Sequence, residues 1–189
     1  TSPASGVQLF TTNLDYEQAE GLEFSFGFGF DLNDYGSLQF SGMVNKYLTQ
    51  ERRSDALTPV IDCKGFFGTS CDPISDLRWT QRTTWDWNDF TASLLWRHTS
   101  DVDIEIPERD QTFDGFRSID SYDYFDLNLD YRLWEERVKV SFAVKNLLDE
   151  EPPILGNEAG DTSSNSGNTF PSNYDVYGRY YSLSARLTL

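Results

Sequence analysis

Hydrophobic side chains recur at every second position in seven segments of this chain. From Leu22 to Leu32, six large apolar residues (Leu22, Phe24, Phe26, Phe28, Phe30, Leu32) alternate with Glu23, Ser25, Gly27, Gly29 and Asp31. Side chains of a strand point alternately to opposite sides, so this period of two predicts a strand with one oily and one polar face. The pattern returns at Leu38–Leu48, Leu77–Trp87, Phe90–His98, Tyr124–Leu133, Val138–Lys145 and Tyr181–Leu189, which makes seven expected strands. In the fifth, Phe125, Leu127, Leu129, Tyr131 and Leu133 oppose Tyr124, Asp126, Asn128, Asp130 and Arg132. The sixth sets Lys139 and Lys145 on its polar side, a costly choice for a dry core.

The connections alternate as strictly as the residues. Asn33–Gly36, Asn88–Asp89 and Trp134–Glu136 read as tight turns, whereas Glu51–Asp76, Ser100–Ser121 and Asp149–Asp175 are long. In an antiparallel up-and-down order every short turn then lies at one end and every long loop at the other. That segregation, with strands near ten residues, predicts an all-β fold of the transmembrane up-and-down barrel type. Aromatic residues gather at both strand ends: Tyr35, Trp85, Trp87, Phe90 and Trp134 beside the turns, Tyr47, Trp79, Trp96, Tyr122 and Tyr124 beside the loops. Two such groups suit interfacial girdles, and the alternative is the ordinary core of a β-sandwich.

Composition narrows the classes. A mean hydropathy of -0.53 leaves no apolar run long enough for a transmembrane helix, as expected when half of each strand faces water. Net charge -16 excludes a nucleic-acid binder, because nothing would neutralise phosphates. Acidic residues crowd the second loop, where Asp101, Asp103, Glu105, Glu108 and Asp110 are read as a solvated segment, with collection of a divalent cation or a cationic ligand as the alternative. The two cysteines, Cys63 and Cys71, lie eight residues apart with Gly65 and Gly68 between them. This spacing reads as a local disulfide of an oxidising compartment, two free thiols being the alternative. His98 is the single histidine, and no nucleophile elbow, phosphate loop or zinc motif is present, so no enzyme and no cofactor are expected.

The last third carries a recognisable pattern. Val144-Lys-Asn146-Leu147-Leu148-Asp149 before Pro152-Pro153, then Gly178-Arg179-Tyr180-Tyr181 opening the final strand, resembles the C-terminal end of TonB-dependent outer-membrane receptors. The matching positions are Asn146, Leu147, Asp149, Gly178 and Arg179; Leu148 and Leu189 stand where the family more often has Phe. The cysteine loop and the Gly21-Leu22-Glu23 opening also resemble members, so the similarity spans nearly the whole chain.

The resemblance implies a barrel of about 22 strands closed around an N-terminal plug. Residues 1–189 would be its last seven strands, starting in mid-loop, with signal peptide, TonB box and plug outside them. It places the chain in the outer membrane of a Gram-negative bacterium, with long loops extracellular and short turns periplasmic. Its activity would be energised uptake of a scarce nutrient, an iron–siderophore or carbohydrate-like ligand; a passive porin, a surface-binding adhesin barrel and a soluble β-rich binding module are the alternatives. The implied partners are the bilayer, the plug and remaining strands, the TonB complex, the barrel-assembly machinery and a surface lipoprotein. Tyr181, Leu183, Ala185, Leu187 and Leu189 resemble the C-terminal assembly signal. The candidate ligand surface is drawn from the loops: Phe66, Phe67, Asp103, Glu105, Phe113, Phe116, Asn157, Asp161, Asn168, Phe170 and Tyr174. Arg97, Arg132, Lys139 and Lys145, on the polar faces, are read mainly as paired wall charges and secondarily as contacts for an anionic ligand.

Overall fold

The computed structural model describes residues 16–53, 56–135, 137–156, 159 and 167–188. Among them, seven long strands form one antiparallel sheet in the order in which they occur: β1 (Tyr16–Asp31), β2 (Ser37–Arg53), β5 (Leu77–Trp87), β6 (Phe90–Thr99), β9 (Tyr122–Leu133), β10 (Val138–Lys145) and β11 (Tyr180–Leu187). Four short strands lie in the connections: β3 (Ile61–Asp62), β4 (Phe66–Phe67), β7 (Val102–Ile104) and β8 (Ser118–Ile119). Eleven strands among the described residues thus stand where seven are expected, because the long loops are themselves folded. The sheet is open, with β1 and β11 at its edges.

Two strand limits also differ from the period-two reading. β1 begins six residues before Leu22, and β2 runs five beyond Leu48. A bulge between Glu20 and Gly21 shifts the register, which hides the continuation from a parity count. Gly21 permits it, because a Cβ there would stand 2.8 Å from the Lys46 carbonyl oxygen.

The register joins the apolar stripes into one continuous face. Across the sheet, Phe28 pairs with Phe40, Val44 with Trp79, Leu94 with Leu127, Leu129 with Phe142 and Phe142 with Leu183. Rings follow one another along it: Phe24, Phe26 and Phe28 stack with centroids about 6 Å apart, Phe30 meets Phe28 edge-on, and Trp96 lies on Phe125. Among the described residues no second sheet packs on this face; Phe24 is 64% and Leu183 75% exposed. The other face carries Arg82, Arg97, Asp126, Asp130, Lys139 and Lys145. Lys139 pairs with Asp130 at 3.0 Å, Ser141 donates to the same carboxylate at 2.5 Å, and Arg82 donates to Ser93 at 2.9 Å.

The packed core is made by the loops. Phe67 from the first, Val102, Ile104 and Ile119 from the second, and Leu155, Ala159, Phe170 and Tyr174 from the third are all buried together, with Phe116 and Tyr122 against them. β4 pairs parallel with β7, β7 pairs antiparallel with β8, and the rings of Phe67 and Phe170 meet edge-on at 5.9 Å. Each fully buried aliphatic or aromatic side chain contributes about 1.5–3 kcal/mol. Three connections distant in sequence are therefore held as one cap.

Candidate functional site

Asn146, the residue after β10, has φ +50° and is 0% exposed. Its backbone N–H donates to Asp126 Oδ1 at 3.0 Å, and its side chain brackets Glu150, donating to the carbonyl and accepting from the N–H at 2.9 Å each. Asp149 Oδ1 accepts the Arg179 backbone N–H at 2.7 Å, while Arg179 Nη1 donates to the Leu147 carbonyl at 3.2 Å. Gly178 has φ +66°, and a Cβ there would stand 3.1 Å from Asp149 Oδ1. The residues that carry the sequence resemblance thus clasp the base of the last long loop.

Asp126, held by Asn146, is the centre of a charged cluster on the polar face. Lys145 Nζ meets its Oδ2 at 2.9 Å and Arg97 Nη2 its Oδ1 at 3.4 Å. The Arg97 guanidinium stands 5.1 Å over the Tyr124 ring. Above this floor the segment 171–177 returns across the polar face, fixed where Asn173 Nδ2 donates to the Pro73 carbonyl at 2.9 Å and the Asp175 N–H to Tyr124 Oη at 3.2 Å. Floor and roof flank an open cleft of about 530 Å³, with Tyr177 and Tyr180 in its lining. Tyr174, in the roof, is pushed to a high pKa by burial and stays neutral.

Of Arg97, Arg132, Lys139 and Lys145, the first and last converge here. Lys139 pairs with Asp130, and Arg132 donates to the Asn88 carbonyl at 2.8 Å, bracing a short turn. Asp126, Asn173, Asp175, Tyr177 and Tyr180 are absent from the sequence-derived ligand set. Asp126 carries a sequence signal, an acid on the polar parity of a strand whose neighbours bring cations; the roof residues carry none, since their position depends on how the loop folds back.

The loop residues expected on an open ligand surface are divided by the structure. Phe67, Phe170 and Tyr174 belong to the loop core, and Phe116 packs against it, because their apolar area is worth more buried than exposed. Phe113, Asp103 and Asn168 are exposed and Phe66 half-buried. Asn157, Asp161 and Leu189 lie outside the described residues. Glu105 is only 5% exposed, so the solvated reading of its loop fails at this position.

Glu105 instead accepts the N–H groups of Ser70 and Cys71 at 2.9 and 2.6 Å. Glu108 accepts from the Thr69 backbone N–H at 3.1 Å and from its hydroxyl. A Cβ on Gly68 would fall 2.8 Å from either carboxyl group, so a side chain there would push both carboxyl groups from their present positions. Burial pushes the Glu105 carboxyl above its ordinary range, against the opposing pull of the two N–H groups. Cys63 and Cys71 are joined in a disulfide, Cα atoms 5.4 Å apart. These two carboxylates therefore seat the disulfide loop, and Asp103 lies 3.8 Å from Arg109.

His98 faces the apolar side, stacked on Trp79 at 3.7 Å; its Nδ1 lies 2.8 Å from Asp123 Oδ1, which also accepts Trp96 Nε1–H at 2.6 Å. The single histidine is thereby built into the aromatic belt at the loop end. No protein-family model, curated protein or solved structure matches the chain.

Proposed function

We propose that this chain supplies seven membrane-crossing strands and the extracellular cap of an outer-membrane uptake receptor of the TonB-dependent type. The single observation carrying the reading is the uncovered apolar face, continuous over seven strands, backed by a face of paired charges. Such a sheet is stable where one side meets hydrocarbon and the other water. In water it would expose a far larger apolar patch than soluble monomers tolerate.

The open edges of β1 and β11 require further strands of a closed barrel, since unpaired backbone groups in hydrocarbon cost several kcal/mol each. The β11 stripe of Tyr181, Leu183, Ala185 and Leu187 faces lipid and serves the assembly machinery. β1 and β2, at 16 and 17 residues, exceed the 9–11 or so needed to cross, so their loop ends stand clear of the membrane and support the cap. A cap folded over the polar face favours a gated receptor over an open porin. Energy from the TonB complex would reach it through a plug.

Surface labelling tests the orientation. Cysteines placed at Phe113 in a loop and at Tyr35 in a turn, each in the intact protein, would be treated with an impermeant maleimide on whole cells. Labelling at position 113 alone is expected; labelling at both, or a detergent-free folded monomer in the soluble fraction, overturns the reading. Growth of a deletion strain under iron limitation, and separately on single sugars, then assigns the cargo class.

A further inference from the structure

The cavity above Asp126 has the size of a small-molecule site, and its floor has a one-sided chemistry. Both oxygens of Asp126 are engaged, Oδ1 by Asn146 N–H and Arg97 and Oδ2 by Lys145. Its capacity to accept further hydrogen bonds is nearly used up. Arg97, by contrast, holds that carboxylate only at 3.4 Å through Nη2, and its Nε is buried without a hydrogen-bond partner. Lys145 has three N–H donors and one carboxylate contact among the described residues. What the floor offers an incoming molecule is therefore donors on two cations, Lys145 Nζ and the terminal nitrogens of Arg97, whose Nε is buried, beside the carboxylates of Asp126 and Asp175 that share the lining. Tyr177, 86% exposed, and Tyr180 stand at the rim with ring surface for an aliphatic or sugar ring.

We infer that this cavity binds a hydroxylated carboxylate, its carboxyl group seated on Arg97 and Lys145 and its carbon skeleton against Tyr177 and Tyr180. A planar guanidinium fork matches a carboxylate in two parallel hydrogen bonds, and the ammonium adds a point charge beside it. An open cleft of about 530 Å³ accommodates a sugar acid or a small hydroxy-polycarboxylate, free or as a chelator. The roof segment 171–177 covers the bound molecule on one side, and the clasp of Asp149 and Arg179 anchors the chain just beyond it. The inference rests on the uptake reading, in which a molecule held on the polar face beneath the cap is cargo on its way inward.

The test is equilibrium binding to the intact protein extracted in detergent, with D-glucuronate, citrate and D-glucose as probes. Glucuronate and glucose differ only in the carboxylate, so a preference of about tenfold or more for the acid is expected from a charge-assisted contact. Citrate separates the two sources of the shared chemistry: tighter citrate indicates a polycarboxylate, tighter glucuronate a sugar acid. R97Q and K145Q should each weaken the preferred acid about tenfold, with R97K retaining part of it. Where R97Q fails to give a folded barrel by heat-modified gel mobility, Y177A, at an exposed site outside the ion cluster, carries the test and should lose several-fold. Equal binding of glucose and glucuronate without citrate binding, no binding of either acid, or acid affinity unmoved by these substitutions overturns the inference. Failure here with surface labelling intact removes the ligand assignment alone; acid binding without surface exposure removes the uptake reading alone.

Discussion

Asp149 and Arg179, thirty residues apart, meet across the base of the last long connection: Asp149 Oδ1 takes the Arg179 backbone N–H at 2.7 Å, and its Oδ2 lies 3.4 Å from the Arg179 guanidinium. The contact closes a loop whose far part carries Phe170 and Tyr174 into the common core. Replacing Asp149 by Ala is expected to cost roughly 0.5–1.5 kcal/mol, confined to this loop. Limited proteolysis checks it: cleavage between β10 and β11 should accelerate while the remaining strands stay protected. Unchanged cleavage would show that the core alone fixes the loop.

Glu105 makes stability of the cap depend on pH in an unusual direction. Its folded pKa is raised by burial, so the folded state holds the proton more tightly than the unfolded chain. The contribution is complete below the ordinary glutamate value of 4.5 and is lost as pH rises through the raised value. E105Q keeps an acceptor for Ser70 and Cys71 without a charge. Amide exchange at 63–71 and 102–105, corrected for intrinsic rates, should lose this pH slope in the variant; identical slopes in both proteins would refute the assignment.

The two faces of the sheet predict opposite responses to the same charge. Phe28→Arg, mid-strand on the apolar face, should destabilise the protein in lipid by about 2–4 kcal/mol. Ser25→Arg, on the polar face of the same strand, should stay within about 0.5 kcal/mol. Reversible unfolding from lipid vesicles measures both. A harmless Phe28→Arg would mean that this face does not meet hydrocarbon.

Gly36 has φ +85°, and a Cβ on it would lie 1.9 Å from the Asp86 carbonyl oxygen. Gly36→Ala must therefore open the turn between β1 and β2 away from β5, at a cost of about 1–3 kcal/mol. A Cβ on Gly115 would meet no described atom within 4 Å, which makes this position the control: Gly115→Ala should be neutral within about 0.5 kcal/mol. Refolding yield and unfolding midpoint distinguish the two.

Removing the disulfide as Cys63→Ser with Cys71→Ser should destabilise the cap by about 2–3 kcal/mol, the chain entropy of so short a loop. The loss is expected to remain in the loops, because β5 and β6 are held by their own ladder. Faster proteolysis of residues 56–76 with the long strands still protected is the expected result; loss of protection over the whole sheet would show that the cap is needed for folding.

Much of the sheet is readable from alternation. A period of two fixes which side chains share a face, and short against long connections fix neighbours, so the order of β1, β2, β5, β6, β9, β10 and β11 follows from residues close in sequence. Cys63 and Cys71, eight residues apart, are equally local. Parity breaks at the Glu20–Gly21 bulge, and there the boundary of β1 is not legible from alternation.

The meeting of the loops is set by long-range packing. Phe67, Ile104 and Phe170 look alike in sequence to the exposed Phe113, and nothing local distinguishes core from surface in irregular segments. Burial there is chosen by packing among chain segments up to a hundred residues apart, as Asn173 on the Pro73 carbonyl illustrates. The convergence of Arg97, Asp126 and Lys145 beneath residues 171–177 has the same origin: strand parity supplies the floor, and long-range burial of apolar loop residues supplies the roof.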